Sequence, residues 1–346
     1  MRKKKKTTKY YLKIMDKNVN VKGINVFIPV IIILALFILI KSPSIRKKTD
    51  LETNHLQCLA GITGNDVRKY SSENFGLINI YLKWKEYMPY RTTDIIGYKE
   101  QLLMITWQPF FSSNNEKSIL KDITDGKYDD YIRDFALMAK NLNKPVLLRF
   151  AQEMNGNWFP WSGSKNGNNT EIYQKAYRYV YELFSEMECN NVEFVFSVSF
   201  KDIPNKEWNR FEKYYPGDEY VDWIGIDMIN WGNIRKIYTN NPSGIINSVY
   251  ERIIKKYPKK PILISEAAFP SQNVDKKKWI KEFFDSLKTK YTAIKAFVWY
   301  DIDKGADFSI SKDKNLFDYF KKLIDGKYFT WDPESVAWRL GSEESE

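Results

Sequence analysis

Histidine and cysteine are nearly absent from this 346-residue sequence, which has one His, His55, and two Cys, Cys58 and Cys189. Two cysteines are too few for a disulfide framework. His55 lies ahead of the globular body, so nothing within the body can form a Ser–His or Cys–His nucleophile pair. A histidine-based metal site is excluded for the same reason, and no metal or cofactor is implied. A glycine-rich phosphate loop after the first apolar run is missing as well. Charge imbalance is absent from the body, although the whole chain carries a formal +11. Residues 1–50 hold 13 Lys/Arg against Asp16 and Asp50, and the remaining residues carry 41 basic and 41 acidic side chains. The body therefore lacks the basic surface that nucleic-acid binding requires.

What is present divides the chain. The run from Ile24 to Ile40 has 17 residues without a charge, at the short end for a membrane span. A cleaved signal peptide is the rival reading, but no A-x-A arrangement of small residues follows Ile40. The sequence thus predicts an uncleaved transmembrane signal anchor at 24–40. Nine positive charges precede it and four follow within the segment, which places the 1–23 basic tail in the cytoplasm. The prediction is a single-pass protein of the cell membrane, with a linker at 41–56 and its body at 57–330 outside the cell. A C-terminal extension at 331–346 ends in the acidic tail Glu343-Glu344-Ser345-Glu346.

In the body, short apolar runs alternate with amphipathic segments. Strands are predicted at Cys58–Gly61, Gly76–Leu82, Gln101–Trp107, Pro145–Glu153, Val192–Phe200, Val221–Ile229, Pro261–Ala267 and Ile294–Tyr300. Helical patterns occupy Tyr128–Leu142, Glu171–Glu188, Ile245–Tyr257, Lys276–Lys290 and Phe317–Ile324. Proline at 145 and at 261 stops a helix and starts a strand. Eight strand-and-helix units match the size and period of an α/β fold of the TIM type, a (β/α)8 barrel, better than a doubly wound open sheet.

Barrel enzymes carry their chemistry at the C-terminal ends of the strands. Trp84, Trp107, Glu153, Ser199, Asn230, Trp231, Glu266, Trp299 and Asp301 stand there. The most informative stretch is Pro145 to Trp161, PVLLRFAQEMNGNWFPW. It puts Arg149 and Glu153 at even spacing on one face of a strand, then Asn155-Gly156 as a turn, then Trp158 and Trp161. Two glutamates, Glu153 and Glu266, among tryptophans are what glycoside hydrolysis needs. One carboxyl protonates the leaving oxygen, and the other attacks the anomeric carbon or activates water. Aromatic faces stack on the apolar faces of sugar rings. Trp84, Trp107 and Trp231 fit either ligand contact or loop packing, and Asp227 reads as a structural carboxylate.

The segment Arg149-x-x-x-Glu153-Met154-Asn155-Gly156-x-Trp158-x-x-Trp161 resembles the acid/base motif of glycoside hydrolase family 26. Ile264-Ser265-Glu266 looks like its nucleophile strand. Val221 to Asp227 and Ala296 to Tyr300 are similar to its sixth and eighth strands. The resemblance covers about residues 58–325. It implies a retaining mechanism on a β-linked polysaccharide such as β-mannan or β-glucan, with Glu153 as acid/base and Glu266 as nucleophile. It also implies sugar contacts from Arg149, Gln152, Asn155, Trp158, Trp161, Asn230, Trp231, Trp299, Tyr300 and Trp107. Two positions depart from the family pattern. Gln152 replaces a histidine before the acid/base, and Ile229 replaces a tyrosine that hydrogen-bonds the nucleophile. Arg149 or Tyr300 is expected to donate in that tyrosine's place. The competing reading is a non-catalytic glycan-binding or exopolysaccharide-assembly protein on a degenerate barrel, against which both retained glutamates argue.

Overall fold

Each predicted apolar run becomes a parallel strand. They are β1 (Cys58–Gly64), β2 (Leu77–Lys83), β3 (Leu102–Gln108), β4 (Val146–Phe150), β5 (Val192–Ser199), β6 (Trp223–Ile229), β7 (Ile262–Ala268) and β8 (Ile294–Asp301). β1 pairs with both β2 and β8, so the sheet closes into a barrel. A short β9 (Phe329–Thr330) lies parallel to the start of β1. The computed structural model describes residues 57–333, apart from residue 71 and residues 86–100, 112–116, 232–240 and 271–274. The basic tail, the apolar run at 24–40, the linker and the acidic tail lie outside the described residues. No helix among the described residues is long and apolar enough to cross a membrane.

The strands are apolar on both faces because both faces are covered. Outward residues such as Ile105, Trp107, Phe297 and Trp299 join one large cluster with the helices. Inward residues, Leu77, Met104, Leu147, Val195 and Leu263 among them, fill the barrel itself. Two residues further along the same strands, and so on the same face, stand Asn79, Thr106, Arg149, Ser197 and Ser265, all buried. An apolar plug thus supports a polar floor.

The helices are α1 (Leu120–Thr124), α2 (Asp129–Lys140), α3 (Glu171–Glu186), α4 (Pro242–Lys256), α5 (Lys276–Thr289) and α6 (Lys314–Ile324). α3 buries Tyr173, Ala176, Tyr177, Val180, Leu183 and Phe184, the spacing of one helical face. Asn241, Asp275 and Asp313 cap α4, α5 and α6 through their side chains. The expectation of eight regular strand-and-helix units is corrected at two places. β1 is followed by a single 3-10 turn at Val67–Tyr70, and β5 by three such turns between Glu207 and Tyr220.

Candidate active site

Arg149 leaves β4 toward the barrel interior and is fully buried. Its Nη1 donates to Glu266 Oε1 at 2.7 Å and to Thr106 Oγ1 at 3.0 Å. Its Nη2 donates to Asp227 Oδ2, and its Nε to Ser197 Oγ at 3.0 Å. Burial opposes the guanidinium charge, but Asp227 and Glu266 together hold the side chain protonated. The planar fork suits this cradle, because two carboxylates and two hydroxyls approach it in one layer.

Asp227 faces inward from β6, and its Oδ1 accepts from Ser265 Oγ at 2.7 Å and Ser197 Oγ at 3.0 Å. Gly225 makes this possible, since a Cβ there would lie 2.6 Å from Ser265 Oγ and 2.7 Å from Ser197 Oγ. Burial pushes the Asp227 carboxyl up to about 6, with the Glu266 charge adding to the rise and Arg149 and Ser265 opposing it. Asp227 is engaged from all sides by the floor, as a structural carboxylate is.

Glu266 lies at a register shift between β6 and β7. Besides Arg149, its Oε1 accepts from the Tyr81 hydroxyl at 2.6 Å. Tyr81, on β2, is the site residue that the sequence reading missed. Burial and the Glu266 charge raise its phenol well above the ordinary value, so it remains a neutral donor. Of the two donors anticipated in place of the missing β6 tyrosine, Arg149 makes the bond. Tyr300 instead packs edge-on against Tyr81, with ring centroids 6.4 Å apart.

Glu153 comes to the same mouth by a different local structure from the one predicted. β4 ends at Phe150, and Ala151 and Glu153 both take positive φ, 49° and 56°. This region costs a non-glycine residue about 1–3 kcal/mol. The Glu153 amide donates to Ser197 O at 2.9 Å, which anchors the turn on β5. The Glu153 carboxylate accepts from Trp158 Nε1 at 2.9 Å. Gly156 provides the room, since a Cβ there would lie 2.5 Å from the Trp158 ring. Burial, then the charges of Asp227 and Glu266, raise the Glu153 carboxyl well above the 4.5 of an ordinary glutamate, against the weaker pull of Trp158 and Arg149.

The other predicted contacts divide. Gln152 is buried beside Glu153, and its Oε1 has no hydrogen-bond partner among the described residues. Trp231 is partly exposed at the end of β6 and packs edge-on against Phe308 at 5.0 Å. Asn230 is buried, its amide tied to Ala268 O. Five expected sugar contacts are corrected, and the first is Arg149, whose fully buried guanidinium is taken up by Ser197, Thr106, Glu266 and Asp227. Trp107 and Trp299 face outward. Trp107 stacks on Phe135 at 4.2 Å, while Trp299 sits among Trp279, Phe283 and Phe320. Trp161 is buried between Phe159 and Phe110 and donates to Gln152 O. Asn155 accepts from the Ser199 amide and donates to Ser199 O and Asp202 Oδ1, so its amide ties the β4 loop to the β5 loop. Trp84 also packs in the core, on Trp107. Asp301 closes the β8 loop through the Ile310 and Ser311 amides and the Tyr70 hydroxyl.

Known proteins resemble this chain in sequence and in fold. Endoglucanase H of Acetivibrio thermocellus is 31% identical over 235 residues, 67% of this chain and 25% of that protein. A mannan endo-1,4-beta-mannosidase of Bacillus subtilis is 27% identical over 175 residues, 49% of this chain and 43% of that protein. A beta-1,3-xylanase of an Alcaligenes species is 23% identical over 198 residues, 53% of this chain and 40% of that protein. The matched region thus spans less than half the length of each of these relatives. Among solved structures, the catalytic domain of a Bacillus endo-beta-1,4-mannanase superposes with a TM-score of 0.63 at 17% identity, covering 84% of this chain and 91% of that one. A beta-mannanase from Bacteroides ovatus also gives 0.63, at 14% identity, covering 86% and 96%. At these identities the structural likeness shows the barrel fold alone. The family description "Glycosyl hydrolase family 26" matches residues 60–330, which contain all of the barrel but the first two residues of β1 and include both carboxylates, and the chain belongs to that family.

Proposed function

We propose that this chain is a membrane-anchored retaining endo-glycosidase, acting outside the cell on a β-linked polysaccharide. The observation that carries the chemistry is the unequal pair at the barrel mouth. Glu266 is held between two donors, Arg149 and Tyr81, while Glu153 is kept in a setting that favours its proton. In the first step Glu266 attacks the anomeric carbon as Glu153 protonates the departing glycosidic oxygen. In the second, Glu153 takes a proton from water, and that water displaces Glu266 from the sugar. Both steps invert the centre, so the product keeps the β configuration. The buried, unpartnered Gln152 Oε1 fits a sugar hydroxyl, which would satisfy it. The matched relatives' names span endoglucanase, beta-1,3-xylanase and mannan endo-1,4-beta-mannosidase, and they support a β-glycan substrate without choosing the sugar.

Incubating the full chain with β-mannans, β-glucans and β-1,3-xylan should release new reducing ends from one of them, with a β-configured first product by NMR. Glycan binding with no new reducing ends would replace this reading with that of a binding or assembly protein. An α-configured first product would replace retention with inversion.

The anchor reading rests on the uncharged Ile24–Ile40 run and the nine positive charges before it. Protease added to intact cells should remove the body and leave a small N-terminal stub. A protected body, or a mature protein that begins near Ser42, would overturn it.

A further inference from the structure

The nucleophile's carboxylate is gripped unequally. Arg149 and the Tyr81 hydroxyl both donate to Oε1 of Glu266, at 2.7 and 2.6 Å, and no donor among the described residues reaches Oε2. Two donors on one oxygen fix the plane of the carboxylate and leave the other oxygen as the attacking atom. Tyr81 arrives from β2. On β6, next to the nucleophile strand, the inward position that would offer a donor closer at hand is the apolar Ile229. Tyr81 and Ile229 both pack against the small cluster of Ala268, Tyr300 and Phe308 at the barrel mouth. Trp231, Ile302 and Ala306 pack there as well, so rings already take up much of that cluster.

We propose that Tyr81 is the nucleophile-positioning residue of this chain, and that Tyr81 and Ile229 form a coupled pair in which β2 supplies the phenol and β6 supplies the apolar filler beside it. The role rests on the glycosidase reading, since it assigns Oε2 of Glu266 as the attacking atom. Tyr81 touches neither the sugar nor the scissile bond in this assignment and acts through Glu266. Ile229 follows from the same packing, because a ring at that position of β6 would have to enter a cluster that already holds the rings of Tyr81, Tyr300, Phe308 and Trp231.

Tyr81→Phe keeps the ring and deletes only the hydroxyl. On the glycan that the wild type cleaves, kcat should fall about ten- to a hundredfold while KM stays within about twofold, the signature of a group that works in the transition state. Tyr81→Ile should be worse, and the exchange variant Tyr81→Ile/Ile229→Tyr should regain at least about tenfold over it, because the phenol returns from the other wall. A readout independent of turnover is the Glu266 carboxyl carbon resonance in 13C-glutamate-labelled protein, assigned with Glu266→Gln. It should move in Tyr81→Phe and move back in the exchange variant. A kcat within twofold of wild type in Tyr81→Phe would overturn the proposal whether or not the resonance moved, as would simple additivity in the exchange variant. If the wild type cleaves no glycan, the glycosidase reading falls and the positioning role falls with it; if it does cleave, a Glu266 resonance unmoved by Tyr81→Phe overturns the positioning role alone.

Discussion

Glu266→Ala should abolish turnover, and added azide should not restore a β-glycosyl product. The side chain that would form the glycosyl-enzyme is gone, and the other carboxylate of the floor, Asp227, is engaged by Arg149, Ser197 and Ser265. Glu153→Ala should behave differently. Natural glycans, whose leaving oxygens need a proton, should lose about 10²–10⁴-fold, the usual worth of a positioned general acid. Substrates with good leaving groups should form the glycosyl-enzyme at nearly the normal rate, and azide should then give a β-glycosyl azide. The pH profile adds a sign. The Glu153 carboxyl sits well above the ordinary 4.5 through burial and the charges of Asp227 and Glu266. Raising the pH removes the catalytic proton, so the alkaline limb of kcat/KM should lie well to the alkaline side of that value. Asp227→Asn takes away one of the charges that hold the proton, so it should shift the limb toward acid. Glu153→Ala should erase the limb on an activated substrate. A β-glycosyl azide from Glu266→Ala but not from Glu153→Ala would reverse the two assignments.

Arg149→Met should be the most destabilising single change in the barrel. The guanidinium is fully buried between Asp227 and Glu266 and also bonds Thr106 and Ser197. Removing one partner of a buried ion pair costs about 3–5 kcal/mol, because the remaining charges are left without compensation. For a domain of this size that corresponds to a fall in Tm on the order of 10 °C. Arg149→Lys should rescue little, since an ammonium cannot present a fork to both carboxylates. The loss should shrink in Arg149→Met/Asp227→Asn, where one of the stranded charges is gone. A wild-type melting curve for Arg149→Met would show that the cluster contributes nothing net to folding.

Much of this was legible in the sequence, and the misses share a cause. Apolar runs bounded by proline or polar turns marked all eight strands to within a few residues, because parallel strands covered on both faces have little other composition available. Glu153 and Glu266 stood out as carboxylates at apolar strand ends. Trp107 and Trp299 were misread because a strand end was treated as a site without asking which face the residue takes. The parity was available. On β3 Thr106 bonds the inward Arg149, and on β8 Tyr300 packs against Tyr81, so the neighbouring tryptophans had to face the helices. Tyr81 was missed for the opposite reason. It lies within an apolar strand rather than after one, and the signal was the pair Asn79 and Tyr81 at alternate positions among aliphatics. The turn at Ala151 and Glu153 had no signal, since neither residue type advertises a positive φ.

The polar floor has an evolutionary consequence. Arg149, Asp227, Ser197, Ser265 and Thr106 satisfy one another within the strands, and Gly225 admits no side chain among them. Mutation can hardly explore this layer, because each member is answerable to several others. Beyond the strand ends the ties among the described residues are local: Ser197 and Trp158 hold Glu153, Asn155 joins the β4 loop to the β5 loop, and Asp301 closes the β8 loop. Lineages can therefore replace loops, and with them the glycan that is recognised, while inheriting the acid, the nucleophile and their charges unchanged. The barrel separates what must be inherited intact from what is free to diverge, and the boundary runs above the turn at Ala151 and Glu153 rather than at the strand ends.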